Sequence, residues 1–323
     1  MLLKDYIPKV SKKFRKISFS GISFDSNKVK KNDIFFAIKG NKIDGNKFIF
    51  DAIKRGSKII VTEKKFNKFI DGILFIHSKN IRKLLAEVSF KINKKIPKNI
   101  IAVTGTNGKS SVVNFYYQIL KLNKKKVASI GTLGVRSNQI NLNLSNTTID
   151  PLQLGQLLKK LKSKGIENVI MEASSHGLRQ NRLDGLKFNS GIFTNFSQDH
   201  LDYHKNLKAY LKAKLYLFEK LVKRGGNIIT DDKIPEFKKI KKISLEKNLK
   251  LNVLDNPKNG LKILSHSFNG ESQVLKVKYK NYIKNIQINL IGKIQLKNIL
   301  MAILAALKSN ISLSKILSVI PQI

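Results

Sequence analysis

Asn99-Ile-Ile-Ala-Val-Thr-Gly-Thr-Asn-Gly-Lys-Ser110 is the stretch on which the reading of the whole chain turns. Ile100 to Val103 is a short apolar run, predicted as a buried strand. A glycine turn follows, and apolar periodicity through Leu122 predicts a helix. In a strand–turn–helix of this kind, backbone N–H groups and the helix dipole converge on an anion. Gly105, Thr106, Asn107, Gly108, Lys109 and Ser110 are therefore candidate contacts to the phosphates of ATP. Lys109 can reach the outer phosphates, and the Ser110 hydroxyl can hold Mg²⁺. The usual spacing places a glycine five residues before Gly108, where this chain has Val103, so the loop is a shortened variant that starts at Gly105. An ordinary Gly-rich turn would not need the Gly-Lys-Ser triplet.

Outward from this loop the chain alternates. Val127 to Ile130, Val169 to Glu172, Gly191 to Thr194 and Asn227 to Thr230 are predicted strands. Leu152 to Lys164 and Leu207 to Val222 are predicted helices. Such alternation predicts an α/β fold with a mostly parallel sheet, whose ligands lie beyond the C-terminal strand ends. Upstream of a polar hinge at Asn93 to Asn99 lies a smaller α/β region, with strands at Ile17 to Phe24, Ile34 to Ile38 and Lys58 to Val61 and one or two helices. The expected domains are thus 1–95 and 96–323. Lys233 to Asn285 is polar and weakly patterned, read as short strands. Helices at Leu296 to Leu307 and Leu313 to Ile320 close the chain.

Composition bounds the rest. The chain has 323 residues, 42% hydrophobic, with no cysteine and a formal charge of +41. Two domains and a substantial core are expected, and disulfides and thiolate metal sites are excluded. Met1 to Asp5 is not followed by a long apolar run, and Ile299 to Leu307 falls far short of the ~20 residues of a membrane span. A cytoplasmic monomer without a membrane partner is expected. The charge would suit a nucleic acid. However, the lysines are scattered along the whole chain and not interleaved with aromatics, so compositional drift toward Lys, Ile and Asn is preferred and nucleic acid is not the expected partner.

Two further segments carry chemistry. Met171-Glu-Ala-Ser-Ser-His-Gly-Leu-Arg-Gln-Asn-Arg182 and Thr194-Asn-Phe-Ser-Gln-Asp-His-Leu-Asp-Tyr-His204 each begin at a predicted strand end. Glu172 would project over the ligand edge. His176, His200 and His204, three of the five histidines, fall in two loops expected to be neighbours, which favours a Mg²⁺–ATP site. On the helix from Leu207, the apolar stripe runs Leu207, Leu211, Leu215, Phe218, Val222, with Lys214 on its edge. Periodicity alone favours a snorkelling lysine with its ammonium in water. The alternative is a desolvated amine with a lowered pKa.

Thr104 to Ser110 resembles the nucleotide loop shared by Mur ligases and folylpolyglutamate synthases. The two downstream segments resemble the Mur ligases, specifically members that add the third amino acid of the stem peptide of peptidoglycan. Phe24-Asp-Ser-Asn-Lys-Val29 resembles the family's uridine-binding segment, and Ile34 to Gly40 with Asp44-Gly45 continues the match. Asn27 stands where arginine is usual, leaving Ser26 as the transferable contact. The resemblance implies that Lys214 is carbamylated and, with Glu172 and His200, holds a second Mg²⁺. It implies that Ser26, Asn146, Thr147, Thr148, Ser174, Gln180 and Arg182 contact the UDP-muramoyl peptide, and that Asn298 contacts the adenine side of ATP. Gln295 stands where asparagine is more usual.

The implied activity is ATP-dependent amide formation between UDP-N-acetylmuramoyl-L-alanyl-D-glutamate and a diamino acid. Lys109 and Lys214 are its catalytic candidates. General resemblance to Gram-negative members, above all at Asn181-Arg-Leu-Asp-Gly185, favours diaminopimelate over lysine, a choice that the family makes with residues of its third domain. The resemblance runs from Ser20 to about Ile320, and the family's third, Rossmann-like domain is expected to be absent, as in a fragment, a split gene or a degenerate relative. The rival readings are a truncated, non-catalytic nucleotide-sugar-binding protein, a folylpolyglutamate-synthase-like ligase, and a basic ATPase acting on nucleic acid.

Overall fold

The structure is a computed structural model that describes residues 1–7, 10–40, 43–65, 68–144, 146–254, 256, 260–269, 272–279 and 281–323. The chain forms two compact units. One is Met1–Lys94 with Gln180–Gly185, the other Lys95–Arg179 with Leu186–Ile323.

The first unit holds a five-stranded sheet of β1 (Ile22–Ser23), β2 (Ile34–Phe36), β3 (Ile59–Thr62), β4 (Lys68–Ile70) and β5 (Ile73–His77), in the order β1-β2-β3-β5-β4. Only β4 runs antiparallel to its neighbour. β2 and β3 are buried along their whole length, as parallel strands covered on both faces must be. Helices α1 (Leu3–Tyr6), α2 (Ile49–Lys54) and α3 (Ile81–Ile92) accompany the sheet. α3 is capped by the Asn80 side chain, which accepts from the Lys83 N–H, and buries Ile81, Leu85, Ala86 and Val88. The predicted strand at Ile17 to Phe24 shrinks to two residues. Ile17 and Phe19 spend their backbone bonds on Leu3 and Met1 instead.

The second unit is built on an eleven-stranded sheet. Its strands are β6 (Asn99–Thr104), β7 (Val127–Gly131), β8 (Gly134–Ser137), β9 (Asn141–Leu142), β10 (Asn168–Glu172), β11 (Phe188–Phe193), β12 (Val222–Asp231), β13 (Lys250–Leu254), β14 (Leu261–Asn269), β15 (Ser272–Tyr279) and β16 (Tyr282–Ile288). Their order is β16-β15-β14-β13-β12-β11-β6-β10-β7-β8-β9. The six strands from β13 to β7 are parallel to one another. The antiparallel β8–β9 ribbon extends one side and the β14–β16 meander the other. Helices α4 (Lys109–Leu122), α5 (Pro151–Ser163), α6 (Ser175–Arg179), α7 (Leu201–His204), α8 (Leu207–Tyr216), α9 (Phe237–Glu246), α10 (Lys293–Leu307) and α11 (Leu313–Leu317) complete the unit.

Local chemistry explains the helix starts. Asp150 accepts from the N–H groups of Leu152 and Gln153, and Pro151 occupies the first turn of α5, where a missing N–H costs nothing. α10 is apolar around nearly its whole circumference. It packs with Val112, Tyr116, Ile119 and Leu120 of α4 in the main core. The predicted helix from Leu207 to Val222 is corrected. α8 ends at Tyr216, a single π turn covers Leu217–Leu221, and Val222 already opens β12. The weakly patterned region contains α9 and the long strands β13 to β16. Their residues 255, 257–259, 270, 271 and 280 lie outside the described residues. Among the described residues no helix is long and apolar enough to cross a membrane.

Candidate functional site

The loop 105–108 leaves the central strand β6 and opens α4 at the C-terminal edge of the sheet. Gly105 has φ of 147°, and a Cβ there would lie 1.9 Å from Thr194 Oγ1. Gly108 has φ of 83°, and its Cβ would lie 2.5 Å from Asn298 Oδ1. Both positions thus require glycine. The segment after β11 braces the loop. Thr194 Oγ1 donates to the Asn107 carbonyl at 2.6 Å, Asn195 Oδ1 accepts from the Asn107 N–H at 2.9 Å, and Thr106 N donates to the Asn195 carbonyl at 3.0 Å. Thr194 and Asn195 were not singled out from the sequence. Their signal was their place immediately after β11, which pairs with β6. Lys109 folds over its own loop and donates to the carbonyls of Thr106 at 2.7 Å and Gly105 at 3.1 Å.

A carboxylate borders the loop. Glu172, 2% exposed at the end of β10, accepts from Ser110 Oγ at 2.9 Å and from the Thr132 N–H at 2.8 Å. Room for it comes from Gly131, where a Cβ would lie 2.3 Å from Glu172 Oε1. Thr132 Oγ1 also lies 3.4 Å from Glu172 Oε2 and 3.1 Å from Thr147 Oγ1. Hydroxyls therefore connect Thr147, through Thr132 and Glu172, to Ser110. Thr148 is buried. Its Oγ1 donates to the Glu172 carbonyl at 3.1 Å, lies 3.0 Å from Ser174 Oγ, and accepts from Ser174 N at 3.0 Å. Asn146 is exposed between β9 and α5.

Lys214 is not on the edge of the core but inside it, 1% exposed. Leu207, expected to lead the apolar stripe, is 42% exposed, while Leu211, Leu215, Phe218 and Val222 of the stripe are buried, and Tyr210, Ala213 and Lys214 join Leu211 and Leu215 on the buried face of α8. The snorkelling reading is therefore corrected: the helix turns Lys214 inward, and its Nζ donates to the Gly105 carbonyl at 2.6 Å. Burial, and then the neighbouring Lys109 ammonium, brings the Lys214 amine down to about 7. Burial also lowers Lys109, against the opposing charges of Glu172 and Asp199.

Tyr210 organises this side of the loop. Its hydroxyl lies 3.3 Å from Thr106 Oγ1, and Lys214 Nζ sits 4.2 Å from its ring centroid. The rings of His204 and His200 lie 5.0 and 6.0 Å from it. Sequence reasoning missed Tyr210, although its position one helical turn before Lys214 puts both on one face. The two histidine loops are neighbours: His176 lies 4.9 Å from His200 and 5.5 Å from His204, ring to ring. His204 is buried, and its Nε2 has no hydrogen-bond partner among the described residues. Burial, then His176 and Lys214, pushes it down to about 4.

The donor set suits a hard cation at the start of α4, where the Ser110 hydroxyl and the Glu172 carboxylate already meet. His200 and Lys214 stand on the other flank of the loop, each against Tyr210. Among the described residues no three His, Cys, Asp or Glu side chains gather into a metal-holding group. The expected set includes only two of these kinds, Glu172 and His200. Asn298, 3% exposed on α10, lies over Gly108 and donates to Gln295 Oε1 at 3.2 Å. Lys297 pairs with the buried Asp231 at 2.6 Å.

The remaining candidates belong to the first unit. Ser26 is buried at the start of a short 3₁₀ turn, beside an Asp25 carboxylate that accepts from the Asn27 N–H. Arg182 donates to Gln180 Oε1 through Nε at 3.0 Å and Nη2 at 2.8 Å. Their segment packs on α3, with Asn80 donating to Asn181 at 3.1 Å and a Gly185 φ of 96° that admits the Glu87 backbone. Ser174 and Gln180, read from the sequence as one run, thus fall in different units.

The family model "Mur ligase middle domain" matches residues 103–306, and "Mur ligase family, catalytic domain" matches 18–101. A curated relative from Rickettsia montanensis, named UDP-N-acetylmuramoyl-L-alanyl-D-glutamate--2,6-diaminopimelate ligase, is 40% identical over 296 residues. The match covers 90% of this chain and 61% of the relative, so the chain spans about three fifths of that relative's length. A solved structure of a ligase of the same name superposes with a TM-score of 0.87 at 24% identity, covering 100% of this chain and 66% of the other. A MurF ligase from Thermotoga maritima in complex with ADP superposes with a TM-score of 0.56 at 17% identity, covering 92% and 65%.

Proposed function

This chain belongs to the Mur ligase family, and we propose that it is the nucleotide-binding and UDP-substrate-binding part of an ATP-dependent ligase that joins meso-diaminopimelate to UDP-N-acetylmuramoyl-L-alanyl-D-glutamate. The observation that carries this reading is the convergence on loop 105–108 of Lys109 and Lys214 from one side and of the Ser110–Glu172 pair from the other. A buried amine, Lys214, and a half-buried one, Lys109, over one Gly-rich turn suit the dense negative charge of a polyphosphate. The name of the Rickettsia montanensis relative supplies the substrates.

In the proposed reaction the γ-phosphoryl passes from ATP to the D-glutamyl carboxylate and ADP leaves. The amine of the diamino acid attacks the resulting acyl phosphate, forming the amide as phosphate departs and the amine loses its proton. The chain's task is positioning and electrostatics. Lys109 turns from the loop carbonyls to the outer phosphates. Asn298, packed against Gly108, lies toward the adenine side. Ser110, Glu172, His200 and a carbamylated Lys214 would hold Mg²⁺, which when bound neutralises charge on the transferring group. Forming the carbamate removes the cost of a buried ammonium beside Lys109. Ser26, Asn146, Thr147, Thr148, Ser174, Gln180 and Arg182 are the proposed substrate contacts.

Titration calorimetry of the 323-residue chain tests the reading. It should bind Mg²⁺–ATP and, separately, the UDP-muramoyl dipeptide. A folded chain that binds neither would overturn the proposal.

A further inference from the structure

Thr132 follows directly on β7, at the C-terminal edge of the sheet, and meets a metal candidate on one side and a substrate candidate on the other. Its backbone N–H donates to Glu172 Oε1 at 2.8 Å. Its hydroxyl oxygen lies 3.4 Å from Glu172 Oε2 and 3.1 Å from Thr147 Oγ1. Glu172 Oε1 also accepts from Ser110 Oγ at 2.9 Å. Ser110, Thr132, Thr147 and Glu172 all belong to the second unit.

A threonine hydroxyl has one proton to donate. Thr132 can give it to Glu172 or to Thr147, but not fully to both, and the choice sets the polarity of Thr147. A free Glu172 carboxylate is charged and is the stronger acceptor. Thr132 then donates to Glu172, Thr147 donates to Thr132, and the outward side of Thr147 offers only lone pairs. A Glu172 whose lone pairs are committed to a cation is the weaker acceptor. The Thr132 proton then turns to Thr147, and the Thr147 proton is released outward. Both hydroxyl contacts are longer than an ideal O–H···O bond, so neither arrangement is locked. The bond from the Thr132 N–H holds Glu172 in place in either one.

We propose that Thr132 is a positioning residue that couples a cation held at Ser110 and Glu172 to the binding of an anionic group at Thr147. The inference rests on the proposed function, in which Mg²⁺ takes the first place and the carboxylate-bearing UDP-muramoyl dipeptide the second. A carboxylate accepts hydrogen bonds and is repelled by outward lone pairs. Mg²⁺ therefore strengthens dipeptide binding, and the dipeptide strengthens Mg²⁺ binding by the same factor. Thr132 is exposed and Thr147 half-buried. The bound dipeptide excludes the water that otherwise serves both hydroxyls, which gives the direction of the relay its effect.

Calorimetry of the 323-residue chain tests this. UDP-N-acetylmuramoyl-L-alanyl-D-glutamate is titrated into protein saturated with β,γ-methylene-ATP, once with Mg²⁺ and once with EDTA. The native chain should bind the dipeptide about tenfold more tightly with Mg²⁺, a typical coupling between sites. Thr132→Val keeps the N–H bond to Glu172 and removes the hydroxyl, and its two affinities should lie within about twofold of each other. Thr132→Ser should restore the tenfold difference, which a role in packing alone would not. Thr147→Val should lose the difference as well, and adding Thr132→Val to it should change nothing further. Circular dichroism checks that each variant is folded. A metal effect that survives in Thr132→Val, or one that Thr132→Ser fails to restore, would overturn the inference. So would a native chain that binds both ligands with no effect of metal, a result that leaves the proposed function standing. A folded chain that binds neither ligand overturns the proposed function and this inference with it.

Discussion

The Nζ of Lys214 donates to the carbonyl of Gly105 at 2.6 Å from a side chain that is 1% exposed. This contact joins α8 to the first residue of the phosphate loop and places a second amine beside Lys109. An amine brought down to about 7 by burial and by that neighbour is substantially unprotonated at neutral pH, the form that attacks CO₂. Intact-mass spectra of the native protein in bicarbonate should show a CO₂ adduct that Lys214→Arg abolishes. An adduct of equal yield on Lys214→Arg would count against the proposed carbamate.

Glu172 fits its place because residue 131 has no side chain. Gly131→Ala would bring a Cβ to 2.3 Å from the carboxylate without demanding an unusual φ. The fold should survive, while Glu172 moves off Ser110. ATP binding should then lose most of its dependence on Mg²⁺. By contrast, Gly105→Ala meets Thr194 Oγ1 at 1.9 Å with a φ of 147°, and should abolish ATP binding with and without metal. Unchanged Mg²⁺ dependence in Gly131→Ala would separate Glu172 from the metal site.

Lys109 and Arg182 lie in different units, and their losses should separate. Lys109→Ala should weaken ATP binding by about 10- to 100-fold, the usual range for a charged hydrogen-bonding partner. The UDP-muramoyl dipeptide should still bind it. Arg182→Ala should do the opposite, with a similar loss for the dipeptide. Calorimetry with each ligand reads both. A parallel loss of both ligands in either variant, with the fold intact, would contradict the division of roles.

How much of this was legible in sequence follows from the length scale of each signal. Strand β6, its loop and α4 were readable because an apolar run, two glycines and a helix period are adjacent in the chain. Loop and carboxylate were placed together by strand order, since β10 and β6 are neighbours. The burial of Lys214 was not readable. Its helix has a mixed face, with Leu207 exposed and Tyr210 buried, and only the packed loop shows which way the face turns. The bracing by Thr194 and Asn195 needed the β11–β6 pairing. Assignment of Gln180 to Gly185 to the first unit rests on contacts with α3, about a hundred residues away, which no local pattern encodes. The β14–β16 meander was obscured because β14 and β16 are largely exposed.

His204 gives the chain a built-in sensitivity to acid. Its ring is 4% exposed, packed 5.0 Å from Tyr210 and 5.5 Å from His176, with Nε2 buried and unpartnered among the described residues. Its pKa is about 4 in the folded protein, against an ordinary 6.5. Between these values the unfolded chain binds a proton that the folded chain refuses. Stability from this group is therefore fully present above pH 6.5 and is lost as the pH falls toward 4. His204→Phe keeps a ring in the same packing and removes the titration. At pH 7.5 it should change stability by less than about 1.5 kcal/mol. At pH 4.5 it should gain on the order of 2 kcal/mol over the native protein, since two pH units lie between 6.5 and 4.5. Urea melts of both proteins from pH 7.5 to 4.5 would show the curves converging or crossing. Parallel curves would mean that the His204 ring is protonated as readily in the folded state as in the unfolded one.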